Sequence, residues 1–586
     1  MSANNRYLKP GFFPETLVDL IAWRANQTPD RFAFSFLDDL DLGEEKISYQ
    51  ELDFHARKIA GYLQSFINPG DRAVLLYQPG LEYIKAYFGC LYAGVIAVPA
   101  FPPELSRLER TLPQLKNIVS DSMATVVLTS SSILAMVELL VNDGTGFNIL
   151  QWMATDVLDT SAAYVFKQVT VKPDSTAFIQ YTSGSTNNPK GIVITHGNII
   201  HNASTISKAF SLTPEQKGII WLPPYYDMGL IGGIIQPLFS GMHCVLMSPV
   251  TFLKHPINWL MAITRFHGNV SGGPNFAYDL CVRKISIEQM ESLDLSWWKL
   301  AFMGAEPIRI ETMDAFINKF AICGFRPEAF FSCYGLAEAT LFVSGGKPFT
   351  KPVIKRFDAH LLKQSIVYET NIDNPDSRIL VSCGNNFGNQ NIVIVDPVTL
   401  AYCPANRVGE IWISGSSIAK GYWNRPNDSL DIFSAYPREN SEGPFLRSGD
   451  LGFLYKNELY ITGRYKDLII IDGLNHHPQD IEKTVENSNG VIRPGSCIAF
   501  STDVDQQEKI IIVIEIDEYE SYIKGIKNPH DLIRSIKQAI SKTHDLSVYE
   551  VILLKTGTLD RDLNGKIQRE ACRQTYTQNH FVKMEA

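Results

Sequence analysis

The chain has 586 residues, 45% hydrophobic and 20% charged. That is about four folding units at roughly 150 residues each, in a composition that excludes disordered and fibrous classes. With 53 basic against 62 acidic residues the net charge is −9, which leaves no electrostatic footprint for DNA or RNA. The opening MSANNRYLKPGFF lacks the basic and apolar halves of a signal peptide, so a cytoplasmic protein is expected.

From Thr16 to Phe445 short apolar runs alternate with amphipathic stretches, the sequence form of βαβ units around a largely parallel sheet. Ser48 and Glu51 stand in capping-box spacing, and Leu52, Ala56, Ile59, Leu63 and Phe66 share one helical face; the turn NPGD and the strand RAVLLY follow. Ala86 to Phe101 is uncharged for 16 residues but short for a membrane span and interrupted by Pro99. Gly229 to Leu253 contains Gln236, Pro237, Gly241, His243 and Pro249, which lipid would leave with unsatisfied polar groups. Both predict buried helix-turn-strand segments and no transmembrane segment. Asn424 to Gly443 reads as the most turn-like, polar part of this region. After Gly463 the texture changes to GRYKDLIIIDG, a helix started by Pro478, a strand at Lys509 to Ile516 and a helix near Asp531 to Thr543. This predicts a separate small α+β domain with its boundary at Lys466. His476 and His477 read as the approach to that Pro-started helix rather than as a base or ligand pair. The nine cysteines form no CxxC pair and have no zinc-like histidine spacing, so small core thiols in a reducing compartment are expected.

Chemistry concentrates at Tyr181 to Gly191, YTSGSTNNPKG, directly after the apolar run TAFIQ. A Gly/Ser/Thr turn offers consecutive backbone N–H groups and hydroxyls as an anion nest, and Lys190 adds positive charge, which suits a polyphosphate. The spacing is not GxxxxGK[ST], so a P-loop NTPase is disfavoured; taken alone, the segment also reads as an ordinary surface turn. Four further segments follow in order: FSCYGLAEAT (Phe331 to Thr340), RSGD (Arg447 to Asp450), YITGRYKD (Tyr460 to Asp467) and NGKIQR (Asn564 to Arg569).

These five elements together resemble the adenylate-forming superfamily of acyl-CoA synthetases, peptide-synthetase adenylation domains and luciferases, across essentially the whole chain. Within it, GCLYAGVIAVPAFPP (Gly89 to Pro103), WLPPYYDMGLIGG (Trp221 to Gly233), GGPNFAYDLC (Gly272 to Cys281), MGAEPIR (Met303 to Arg309) and NHHPQDIE (Asn475 to Glu482) resemble the fatty acyl-AMP ligases. The span of 72 positions from Glu338 to Glu410 resembles the insertion that marks those ligases. Three departures stand out: Asn187 where the superfamily usually has glycine, Tyr226 where the ligases commonly have histidine, and TLDRDLNGK in place of a Pro- and Ser/Thr-rich lead-in to Lys566.

The resemblance implies an α/β fold with a large N-terminal domain, residues 1–465, of mixed βαβ layers and a distorted barrel subdomain, carrying an insertion within about 347–378. A small mobile C-terminal domain, 466–586, would carry the catalytic Lys566 and turn on a hinge at Lys466. It implies ATP and Mg2+ as cofactors, a fatty acid as substrate and a holo acyl carrier protein as partner, as in polyketide or lipopeptide biosynthesis. Glu338 would hold the metal; Thr182, Ser183, Gly184, Ser185, Thr186 and Lys190 would wrap the β and γ phosphates; Lys566 would bridge the carboxylate and α-phosphate. Asp450 would accept from the ribose hydroxyls with Arg464 nearby, and the adenine would lie between Gly304, Ala305, Glu306, Pro307 and Tyr334, with Ser332, Gly335 and Leu336 beside it. Trp221, Tyr225, Tyr226, Met228, Gly229, Leu230, Ile234, Gly273 and Phe276 would line the acyl tunnel, each of the large ones reading almost equally as core. The loop around Gly473 would line the channel for the phosphopantetheine arm. With 20 residues after Lys566, no carrier domain within the chain is expected. The competing readings are a long-chain acyl-CoA synthetase, an amino-acid adenylation domain with Asp227 for the substrate amine, and a non-catalytic adenylate sensor.

Overall fold

The computed structural model describes residues 13–38, 43–102, 108–141, 150–158, 165–182, 189–374, 376–439, 442–471, 474–504, 507–516, 529–559, 561, 567–578 and 580–581. Ser183, Gly184, Ser185, Thr186, Gly473 and Lys566 lie outside these residues.

Two largely parallel sheets build the bulk of the chain. The larger one runs, strand by strand, through Asn385–Asn386, Phe342–Gly345, Phe330–Gly335, Leu300–Met303, Val270–Gly273, Lys217–Ile220, His243–Met247, Phe32–Leu37 and Glu44–Ser48. Its six central strands are parallel, with antiparallel strands only toward the two edges. The second sheet orders Gln151–Ala154, Val126–Thr129, Arg72–Leu76, Ile96–Ala100, Thr176–Thr182 and Lys190–Thr195. Its last pair is antiparallel, and its two strands flank the Gly/Ser/Thr segment in the sequence. Local sequence accounts for much of this. The Ser48 hydroxyl accepts from the Glu51 N–H while Glu51 accepts from the Ser48 N–H, so the capping box starts the helix Tyr49–Leu63. Phe66 lies beyond that helix and is 38% exposed; the face stops one turn short of its expected end.

Both apolar runs that mimic a span are buried helix-turn-strand segments. The helix Leu81–Ala93 ends on left-handed Gly94 and leads into Ile96–Ala100. The second run is a π-helix, Met228–Ile235, then the helix Gln236–Ser240 and the strand His243–Met247. Among the described residues no helix is long and apolar enough to cross a membrane. Between Asn424 and Gly443, expected as turn, a helix forms at Pro426–Phe433, because Pro426 occupies the first helical position where no N–H is needed.

The antiparallel part consists of Asn391–Val395, Gly409–Ser414, Leu446–Tyr455 and Glu458–Arg464, with the ribbon Ile354–Asp358 and Ser377–Val381 beside it. The C-terminal part is α+β. Strands Cys497–Val504, Gln507–Ile516 and Val548–Lys555 form one sheet. Strand alternation sends Ile510, Ile512 and Ile514 into a core with the helices Pro478–Ser488 and Pro529–His544, and Ile511 and Val513 into another with Cys572 of the helix Arg569–Thr577. A sheet buried on both faces explains the unbroken apolar run. This part meets the larger one through Arg309–Glu486 at 3.1 Å, Lys483–Glu311 at 2.5 Å and Arg378–Asp480 at 2.9 Å. All nine cysteines are free thiols.

Candidate functional site

Parallel sheets gather the segments that follow their strands at one edge, the carboxyl ends, where α/β proteins place ligands. Four of the segments singled out in the sequence lie there. Trp221 to Met228 follows Lys217–Ile220, Pro274 to Phe276 follows Val270–Gly273, Gly304 to Pro307 follows Leu300–Met303, and Leu336 to Glu338 follows Phe330–Gly335. Met303 pairs with Ser332 in register, which sets the Gly304 turn beside Cys333 and Tyr334. Asn275 clamps this turn by donating to the Pro307 carbonyl at 3.0 Å and accepting from the Arg309 N–H at 3.0 Å. Ala305 and Pro307 are exposed while Gly304 is buried, so the turn presents an open face.

The most constrained group is Asp450. RSGD sits inside the strand Leu446–Tyr455, where Gly449 takes a φ of +71°, a conformation that costs glycine nothing. Glu410, 3% exposed, braces the turn: it accepts from the Gly449 N–H at 3.2 Å, Arg447 Nη2 at 2.9 Å and Trp412 Nε1 at 2.9 Å. Asp450 itself is nearly buried, accepts from the Tyr334 phenol at 2.8 Å, and lies opposite Arg464, whose Nε donates at 3.1 Å. Asp450 raises the Arg464 pKa, and burial, followed by the Asp450 charge, pushes the Tyr334 phenol far up. The result is a nearly buried carboxylate with a neutral phenol on one side and a guanidinium on the other.

Glu338 sits on the short helical turn Ala337–Ala339 and accepts from the Tyr422 phenol at 3.0 Å. Burial, and then Glu338, keep that phenol protonated well above its ordinary range. Thr182 pairs with Lys190 across the hairpin. The Lys190 ammonium lies 2.7 Å from Asp428 Oδ2 and 4.9 Å from the centre of the Tyr422 ring.

The apolar candidates divide in two. Trp221, stacked on Phe252 with centroids 4.1 Å apart, Leu230 and Ile234 are fully buried core, because their neighbours fill the space around them. Tyr225 is also buried; its carbonyl accepts from Gln180 at 2.8 Å and its ring meets Tyr226 edge-on. Tyr226, Met228 and Phe276 are only partly buried, and Phe276 reaches the edge of Trp221 at 5.9 Å. Gly229 packs directly under the Pro223 carbonyl, where a Cβ would sit 1.9 Å from the oxygen. Asp227 accepts from the Met228 N–H at 2.8 Å, at the start of the π-helix. Lys466 is exposed on the one-turn helix Tyr465–Asp467. His476 and His477 are buried, and His477 directly precedes Pro478 with its imidazole held neutral by burial, then by Arg378 and His476.

Tyr422, Asp428, Glu410 and the pair Arg309–Glu486 escaped the motif reading of site residues. Only the aromatic between glycine and proline in KGYWNRP hinted at Tyr422.

A family model described as AMP-binding enzyme matches residues 21–423. The chain belongs to the AMP-binding enzyme family. A second family model, described as Disco-interacting protein 2-like, AMP domain, matches residues 466–586. This AMP-binding enzyme is 42% identical over 581 residues, 99% of the chain and 97% of the relative, to the medium-chain-fatty-acid acyl-carrier-protein ligase JamA of Moorena producens. It is 32% identical over 608 residues, 96% of the chain and 94% of the relative, to the corresponding ligase TtuA of Teredinibacter turnerae. Its fold superposes with a TM-score of 0.76, at 39% identity and 98% coverage of both chains, on a crystal structure of a fatty acyl-adenylate ligase from L. pneumophila in complex with acyl adenylate and pyrophosphate.

Proposed function

We propose that this enzyme activates a fatty acid with ATP to an acyl-adenylate, releasing pyrophosphate, and passes the acyl group to the phosphopantetheine thiol of an acyl carrier protein in the cytoplasm. The observation that carries the reading is the Tyr334–Asp450–Arg464 cluster. A nearly buried carboxylate meets Tyr334, which lies beside the Gly304 turn and near the strand end that carries Glu338, in a chain of this family. A carboxylate is a poor acyl donor because its leaving group would be oxide, and joining it to AMP supplies a better one. The attacking carboxylate arrives ionised at neutral pH, so no general base is needed. Nucleophile and phosphate are both anionic, so the residues must position them and offset charge.

In this reading Asp450 accepts from the ribose hydroxyls beside Arg464. The adenine lies between Tyr334 and the turn Gly304, Ala305, Glu306 and Pro307, flanked by Ser332, Gly335 and Leu336. Thr182, Ser183, Gly184, Ser185, Thr186 and Lys190 hold the β and γ phosphates, and Lys566 neutralises charge between the fatty carboxylate and the α-phosphate. The half-buried Tyr226, Met228 and Phe276 line the acyl path over a floor of Trp221, Tyr225, Gly229, Leu230 and Gly273. Among the described residues no group of three His, Cys, Asp or Glu side chains stands ready for a metal. A single carboxylate, Glu338, with the nucleotide's own phosphates is the usual way Mg2+ is held. When bound there, the ion supplies positive charge to the phosphates. The boundary near Lys466, dividing 1–465 from 466–586, would act as the hinge that exchanges Lys566 for the thiol, an established mode of domain rearrangement. The segment within about 347–378 restrains that rotation, supported by Arg378 on Asp480 and by Asn475 on Ser365 at 3.1 Å.

The test is the intact mass of products after incubation with ATP, mixed fatty acids and either holo carrier protein or free CoA. Acylated carrier protein is expected. Acyl-CoA formed equally fast would replace this reading with an acyl-CoA synthetase, and no fatty-acid-dependent release of pyrophosphate would end it.

A further inference from the structure

Lys190 and Glu338, 148 positions apart in the chain, share one neighbour. Tyr422 places its ring 4.9 Å from the Lys190 ammonium and its hydroxyl 3.0 Å from Glu338 Oε1. The backbone fixes this placement. The Val193 N–H donates to the Gly421 carbonyl at 2.9 Å, Lys420 to Val193 at 3.0 Å and Trp423 to Gly191 at 2.7 Å, so residues 420–423 run as an added strand along the lysine's own strand. Ile192 bridges Tyr422 directly, and the Tyr422 N–H is tied to Ser429 Oγ at 2.8 Å. Asp428, on the helix that follows, takes the Lys190 ammonium at 2.7 Å. Both side chains of that ion pair are well exposed, so the pair is weak and an incoming anion can replace it.

We propose that Tyr422 is a positioning residue that sets the loop lysine and the Glu338 carboxylate against one ring, so that both face the nucleotide's polyphosphate together, with Asp428 holding Lys190 until phosphate displaces it. This rests on the functional reading above, in which Lys190 and Glu338 serve the phosphates. An ammonium over a tyrosine face is attracted by the ring quadrupole without being neutralised, so the lysine stays available to a phosphate. A phenol that donates to one carboxylate oxygen fixes how that carboxylate is held.

The experiment is calorimetric binding of a non-hydrolysable ATP analogue and of AMP, each with and without Mg2+, to wild type and to Tyr422→Phe, Tyr422→Leu and Asp428→Asn. AMP lacks the β and γ phosphates and separates polyphosphate effects from general damage to the pocket. Tyr422→Leu is expected to weaken the ATP analogue about tenfold and to leave AMP within about twofold. Tyr422→Phe keeps the ring and should leave metal-free binding unchanged, while losing most of the gain that Mg2+ gives in wild type. Asp428→Asn should tighten metal-free binding of the analogue several-fold. Equal weakening of ATP analogue and AMP by Tyr422→Leu, or no movement in any variant, overturns the proposal. If the leucine variant does not fold, the other two decide: an unchanged Mg2+ gain in Tyr422→Phe together with unchanged affinity in Asp428→Asn overturns it. None of these measurements uses a fatty acid. Wild-type protein that binds the analogue yet activates no fatty acid would sink the functional reading and leave this inference standing.

Discussion

Replacing Asp450 with alanine separates the fold's use of this carboxylate from the nucleotide's. Within the protein, the change strips the Tyr334 phenol of its acceptor at 2.8 Å and Arg464 of its partner at 3.1 Å. Tyr334 is buried, and an orphaned buried hydroxyl costs about 1–3 kcal/mol. The Arg464 side chain is 47% exposed, so its pair contributes only about 0–1 kcal/mol. The fold therefore loses a few kcal/mol at most, spread over a large core, and stays folded. If the same carboxylate also accepts from the ribose, each charge-assisted bond is worth about 1.5–3 kcal/mol, roughly ten- to a hundredfold in ATP affinity. Tyr334→Phe supplies the control, because it deletes the internal hydrogen bond and keeps the carboxylate. The measurements are thermal unfolding and fatty-acid-dependent pyrophosphate exchange over a range of ATP concentrations. Asp450→Ala should raise the ATP requirement by at least tenfold with modest loss of stability, and Tyr334→Phe should move it only a few-fold. A large drop in melting temperature with an ATP requirement within threefold of wild type would refute the reasoning and make Asp450 a structural acceptor for Tyr334.

Other consequences are equally open to measurement. Lys566→Ala should cut pyrophosphate exchange by about 10²- to 10³-fold, the loss typical of one preorganised donor, while sparing thiol transfer from supplied acyl-adenylate; exchange within a few-fold of wild type removes Lys566 from the first half-reaction. Burial raises the Glu486 carboxyl to about 7 against the pull of Arg309, so the fold favours its protonated form; that contribution is full below the ordinary value near 4.5 and lost as pH rises through 7. Glu486→Gln should accordingly flatten the decline in melting temperature between pH 5 and pH 8, and an unchanged profile would show the group to be charged throughout. Gly229→Ala would drive a methyl into the Pro223 carbonyl, a backbone clash costing at least about 1–3 kcal/mol, seen as a lower melting temperature and a higher KM for fatty acid; a wild-type melt would show that the π-helix shifts freely. Arg378→Ala removes the contact with Asp480 and should raise acyl-CoA formation several-fold relative to acylated carrier protein, with acyl-adenylate formation unaltered; an unmoved acceptor ratio would free this segment of any role in acceptor choice.

Short-range chemistry is what the sequence alone determined here. The Ser48–Glu51 box, the Pro478 helix start and the alternation through Lys509 to Ile516 each act within a turn or a strand pair, so residue order suffices to place them. The strand Thr176–Thr182 that leads into the Gly/Ser/Thr segment was likewise legible, because the apolar run TAFIQ is short and unbroken. Phe66 and the helix at Pro426–Phe433 went the other way, since a helix end and a short amphipathic turn are settled by what they pack against. The partners of the site side chains were not legible. Tyr334 meets Asp450 across 116 positions, Glu338 meets Tyr422 across 84, Arg309 meets Glu486 across 177 and Lys190 meets Asp428 across 238. At such separations nothing local distinguishes one tyrosine or aspartate from another. Only the stacking of parallel strands, which brings their carboxyl ends to one edge, and the pairing of residues 420–423 with the strand at Lys190 decide which of them touch. For the same reason the depth at which Trp221 and Leu230 lie was not legible: only the side chains packed around them bury both.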